Sequence, residues 1–147
     1  MGIGISCIPE ANRGLFTTKE RNDRDFLCPY LGHIQKRDMN HQPTGEYTFH
    51  DTTLEQYVHG NPATSYGPYA NDPLNELMAN AKITFRKERN EYWLQALGLI
   101  ACNSEILLMY GIDFWLANNI IHSEALDIAY PKHLGRAARC VREKEQC

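Results

Sequence analysis

No apolar run in this 147-residue chain approaches the roughly 20 residues that a membrane-spanning helix needs. There is no internal repeat and no low-complexity segment. Charge of one sign is not in excess either: 15 Lys and Arg against 18 Asp and Glu give a formal net charge of −3. That balance supplies no broad basic field, so nonspecific attraction to nucleic acid is not expected as the main activity. A peptide ligand or a small cofactor suits the surface better, and neither direct nucleic-acid binding nor a membrane is expected as a partner.

The metal and disulfide signatures are missing too. Five cysteines, at 7, 28, 102, 140 and 147, are odd in number and scattered, with no CxxC pair. Six histidines show no HExxH or comparable ligand spacing. Without a signal-peptide pattern, the expectation is reduced thiols in an intracellular protein of the nucleus or cytoplasm, with no metal. Cys140 and Cys147 are seven apart in a helix-like tail and could share a face, which leaves zinc ligation there as an alternative. "MGIGIS" formally satisfies the N-myristoylation pattern at Gly2, with Cys7 nearby as a second acylation point; Gly2–Ile8 reads equally as a first strand.

What is present is one domain's worth of short apolar segments. Ile3, Ile5 and Ile8 roughly alternate, and Leu15–Phe16 and Phe26–Leu31 follow as short runs. Residues 36–46 predict an exposed loop, and Tyr47–Phe49 and Leu54–Val58 a return to strand or short helix. Between Gly60 and Pro73 there are too many breakers for a regular element. Ala81–Phe85 and Tyr92–Leu99 flank "RKERNE" as a hairpin, and Ile106–Tyr110 is the next predicted strand. From Trp115 onward the spacing of Leu116, Ile120 and Ile121 is helical, Ser123 could cap "EALDIAY", and Leu134–Cys147 reads as a basic helix whose charges form a solvated face. The order predicts a mostly β fold with peripheral helices and excludes alternating β-α units.

Four segments in sequence order carry more. "NRGLFTTKERNDRDFLCPYLG", from Asn12 to Gly32, resembles a G-x-G-(V/L)-x-A segment leading to a strand that ends Y-x-G; Gly14, Tyr30 and Gly32 match, while Asn12 replaces the first glycine, Arg24 the usual turn glycine and Pro29 the acidic residue before the tyrosine. "YGPYANDPLNELMANAKI" resembles R-(F/Y)-x-N-H with a downstream asparagine: Tyr69, Ala70, Asn71 and Asn80 match, with Pro68 in place of arginine and Asp72 in place of histidine. "LQALGLIACNSEILLMYG" matches at Ala96, Ile100, Glu105 and Ile106, with Ser104 at an acidic position and Asn103 at a glycine position that asparagine can serve by tolerating positive φ. Tyr110-Gly111 and Phe114-Trp115 complete the series. Singly, each segment is also a plain strand, turn or hairpin; together they resemble the SET-domain lysine methyltransferases over residues 12–115.

That resemblance implies a SET-domain, β-clip-like fold over residues 1–115 with a threaded C-terminal segment, and a helical extension, 116–147, packing on it in place of a cysteine-rich element. It implies S-adenosylmethionine as cofactor, held by Arg13, Gly14, Leu15, Tyr69, Asn71, Asp72 and Trp115, with glycine allowing close backbone approach. Tyr110 would be the catalytic tyrosine, and Tyr30, Leu108 and Phe114 would line a channel for a lysine of a protein substrate, histone being the family default. Leu108, two residues before the tyrosine, lacks a hydroxyl to hold a water or amine, so products beyond monomethyl-lysine are expected. The departures at Asn12, Pro68 and Asp72 motivate the rival reading, an inactive fold kept for peptide binding or interaction.

Overall fold

The computed structural model describes residues 1–8, 11–40, 43 and 45–111. The helices expected after Trp115, the 116–147 extension, Phe114, Trp115, Cys140 and Cys147 lie outside the described residues. The described part is mostly strand, arranged as three antiparallel three-stranded sheets.

In the first sheet β1 (Gly2–Ile5) and β2 (Arg13–Phe16) pair with Ile3 opposite Leu15, and β9 (Glu105–Ile106) lies on the other side of β2. The second is ordered β3 (Phe26–Tyr30), β8 (Glu91–Ala96), β7 (Ala81–Arg86). Its hairpin closes at Arg86 opposite Glu91, and β8 alternates as the period-2 pattern requires: Tyr92, Leu94 and Ala96 are buried, whereas Glu91, Trp93 and Gln95 are only partly so. The third is ordered β4 (Gly32–Lys36), β6 (Gln56–Gly60), β5 (Thr48–Asp51).

Strand β4 was not among the predicted elements because its apolar content is a single isoleucine. Its pairing is polar instead: His59 of β6 stacks on His33 with ring centroids 6.1 Å apart, and its two ring nitrogens sit 2.8 Å from Gln35 Oε1 and 2.9 Å from Thr48 Oγ1. The breaker-rich stretch holds only a 3-10 turn, Gly67–Tyr69, with proline in its first turn.

The predicted strand Ile106–Tyr110 needs correction. Regular pairing covers only Glu105–Ile106; beyond it the chain is held by the two ends of the loop 71–81. Leu107 bridges Asn71 and Leu108 bridges Ala81, both in parallel sense. The Leu108 N–H donates to the Asn71 carbonyl at 3.0 Å, and the Asn80 and Ala81 N–H groups donate to the Leu107 carbonyl at 2.9 and 3.1 Å. The Asn80 side chain acts as a further strand residue, accepting from Leu107 N at 2.8 Å and donating to the Glu105 carbonyl at 2.9 Å. Segment 105–110 therefore runs between the loop's ends, bonded to both.

The three positions at which this chain departs from the resembled glycines all keep a left-handed backbone. Asn12 has φ 58°, Arg24 φ 67° and Asn103 φ 62°. Two are asparagines, the residue type that bears this conformation best after glycine.

The core is sealed by Tyr92, 1% exposed, which contacts Phe49 and Phe85. Its hydroxyl donates to Asp51 Oδ2 at 2.6 Å and accepts from Gln56 Nε2 at 2.9 Å, joining the second sheet to the third. Tyr92→Phe leaves both partners short of a bond in a buried place, so a loss of about 1–3 kcal/mol is expected in urea unfolding. Arg24→Gly works the other way: relief of the left-handed strain, about 1–2 kcal/mol, outweighs glycine's extra unfolded-state entropy of about 0.4–1 kcal/mol. The same unfolding measurement should show unchanged or higher stability, and a marked loss would contradict the strain assignment.

Candidate active site

Tyr110 is fixed at two atoms. Its N–H donates to Asp72 Oδ2 at 2.9 Å and its hydroxyl donates to the Ala70 carbonyl at 2.7 Å. Asp72, 4% exposed, also takes the Leu74 N–H on its other oxygen at 2.7 Å, the side-chain turn that an Asp-Pro-Leu sequence favours. An aspartate where the resemblance led to a histidine is thus a clamp between the loop and the tyrosine segment. Burial first, then the neighbouring Tyr30, Asp72 and Glu46, push the Tyr110 hydroxyl well above the usual phenol range, so it stays protonated.

The Tyr110 side chain lines a small cleft whose enclosed part has room for about one water molecule, with Tyr30, Tyr47, Phe49, Pro68 and Ala70 among its walls and Glu46 as its carboxylate. Tyr30 is buried and donates its hydroxyl to the Tyr47 carbonyl at 2.6 Å; burial raises its ionisation far above normal as well. Gly60 makes room for that ring, since a Cβ there would come within 2.5 Å of it. Pro68, in the arginine position, contributes a flat apolar wall.

A second cluster lies where β2 meets the loop. The Asn71 amide donates to the Arg13 carbonyl at 2.7 Å, to Ser6 Oγ at 3.2 Å and, more weakly, towards Glu105 at 3.5 Å. Glu105 accepts from Ser6 Oγ at 2.6 Å and from the Cys7 N–H and thiol at 3.0 and 2.8 Å. Burial disfavours its charge, but these hydrogen bonds outweigh burial and hold the carboxyl below its ordinary value. Cys7, held by the same carboxylate, has its thiol raised and is a poor nucleophile. A Cβ at Gly14 would collide with the Glu105 carboxylate, so this glycine serves the packing of Glu105 as well as any ligand.

Of the residues singled out in the sequence, Arg13, Gly14, Tyr69, Asn71, Asp72, Tyr110 and Tyr30 are brought into one continuous region. Leu15 is fully buried in the core, leaving only its backbone to that region, and Leu108, 1% exposed, packs in the core and is not among the cleft's walls. Phe114 and Trp115 are outside the described residues. Glu46, Tyr47 and Phe49 were missed, because a loop and a short polar strand carry them with no motif. The one available signal was the clustering of two aromatics beside an acid in "EYTF".

The side chains gathered here are of types that suit a charged amino-acid nucleoside. Arg13 is exposed, the Asn71 side chain makes its bonds among the described residues through its amide nitrogen, and Tyr69 is half-buried and packed against the core in the turn beside β2. A guanidinium for a carboxylate, an amide oxygen for an amino group and a ring face for a base form a donor set that fits S-adenosylmethionine.

No protein-family model matches the chain, and no curated protein matches its sequence. Among solved structures it resembles an active polycomb repressive complex 2 in the stimulated state, with TM-score 0.51 and 19% identity over 74% of this chain and 15% of that one. The polycomb repressive complex 2 of Chaetomium thermophilum gives TM-score 0.52 and 21% identity over 76% of this chain. Another structure of ctPRC2, in an autoinhibited conformation bound to S-adenosylmethionine, gives 0.53 and 19% over 76%. This chain spans 15% of the length of each of these chains. The likeness is one of fold, and the architecture is the SET-like one that the sequence resemblance implied.

Because the folded Glu105 pKa is depressed, its contribution to stability is complete above the ordinary value of 4.5 and is lost as the pH falls through the lower folded value. Urea unfolding followed from about pH 6 to about pH 3 should show this loss in wild type and a shallower one in Glu105→Gln. Identical acid profiles would contradict the hydrogen-bonded carboxylate cluster.

Proposed function

We propose that this chain transfers a methyl group from S-adenosylmethionine to a lysine side chain of a protein substrate, histones being the first to test. The observation that carries this reading is the placement of Tyr110: its main chain is clamped by Asp72 next to Asn71 and Arg13, while its ring opens into the aromatic cleft. One tyrosine thus faces a candidate nucleoside site and a candidate side-chain site. The SET-like fold supports the same reading.

Arg13, Tyr69 and Asn71 would hold the cofactor, which supplies an electrophilic methyl on a sulfonium. The chain's own residues then have three tasks. Tyr30, Tyr47, Phe49 and Pro68 confine the incoming aliphatic stem and exclude water, leaving an amine poorly solvated and reactive. Tyr110 and Tyr30 orient it: both hydroxyl protons are committed to backbone carbonyls, so each can present only oxygen to a further donor such as an amine N–H. Neither acts as a base, since both ionise far above neutral pH. The lysine proton therefore leaves to water before attack, and catalysis rests on alignment.

Radiolabelled methyl transfer onto histones and cell extract is the direct test. Tyr110→Phe should lower transfer on the order of 100-fold through misalignment, while calorimetry shows S-adenosylmethionine and its demethylated product still binding. No transfer together with no binding of either compound by the wild type would overturn the reading in favour of an inactive scaffold.

A further inference from the structure

The cleft at Tyr110 has an unequal charge lining. Among its described walls are four aromatic rings and one carboxylate, Glu46, and no lysine or arginine. Glu46 is exposed in the turn just before β5, so it stands at the mouth while Tyr30 and Tyr110 form the interior. Its negative charge reaches the hydroxyls of both Tyr47 and Tyr110, raising their ionisation alongside the larger effect of burial. Aromatic faces and a carboxylate attract cations, and the Tyr30 hydroxyl, its proton given to the Tyr47 carbonyl, has only acceptor capacity left for an occupant. The enclosed space has room for about one water-sized group, a size nearer to an ammonium head than to a planar guanidinium.

We infer that Glu46 is the specificity-determining residue of this cleft, capturing the side chain that enters as its ammonium and rejecting uncharged side chains of the same length. This rests on the methyl-transfer reading and adds to it the residue that recognises charge. Glu46 is a binding group and opposes the chemical step, because a carboxylate beside an amine favours the protonated form that cannot attack. Its contribution therefore falls on KM rather than kcat.

The test titrates the whole 147-residue chain with n-butylammonium chloride and, separately, with 1-butanol, reading tyrosine ring resonances by NMR. Wild type should bind the ammonium more tightly than the alcohol. Glu46→Gln should weaken the ammonium about two- to fivefold, the range of an exposed ion pair, and leave the alcohol unchanged, with Glu46→Asp keeping most of the preference. In steady-state transfer to a histone peptide, E46Q should raise KM by a similar factor while kcat moves less. Equal weakening of both probes, no change in the ammonium, or no binding of either probe by wild type overturns the inference. Failure of methyl transfer with the ammonium preference intact would sink the reaction and leave Glu46 in its role; transfer with a KM indifferent to E46Q would do the reverse.

Discussion

The site depends on the seating of residues 105–110 between the two ends of the 71–81 loop. The seat is made of backbone: Asn71 on one side, Asn80 and Ala81 on the other, with the Asn80 side chain adding a donor and an acceptor. Every consequence for chemistry follows from it. It sets Glu105 against β2, where its carboxylate gathers Ser6, Cys7 and Asn71, and it delivers Tyr110 to Asp72 and Ala70. Buried backbone groups in such an irregular stretch would be costly if unpaired, and here each main-chain bond joins segments distant in sequence.

The arrangement explains how unusual residues are accommodated at positions of special geometry. Left-handed backbone at Asn12, Arg24 and Asn103 is kept without glycine, at a cost absorbed by the surrounding bonds: Arg24 N–H reaches the Ala96 carbonyl at 3.1 Å, and Asn103 N–H reaches the Thr17 carbonyl at 2.9 Å. Asp72 performs by two hydrogen bonds a fixing task that needs no imidazole. The substitutions that looked like losses in the sequence leave the tyrosine anchored.

Much of the fold was legible because its strands advertise themselves. The alternation of Tyr92, Leu94 and Ala96, and the charged turn before them, predicted the β7–β8 hairpin directly. β4 was illegible because His33, Gln35 and His59 build it from polar cross-strand contacts. The run ILLMY read as a longer strand because apolarity reports burial and not the partner: Leu107 and Leu108 are buried, yet they bond to loop ends. At the candidate site, Tyr110, Tyr30 and Asn71 stood in motifs, which is why the sequence could single them out. Glu46 and Tyr47 stood in a loop, where only the folded chain reveals that they face Tyr110.

Hydrogen exchange of the full chain with and without S-adenosylhomocysteine tests most directly whether segments remote in sequence form one cofactor site. Slowed exchange is expected together in residues 12–15, 69–72 and 107–111, the segments around Arg13, Asn71 and Tyr110. Exchange unchanged in all three, or slowed only elsewhere, would contradict the convergence on which the functional reading rests.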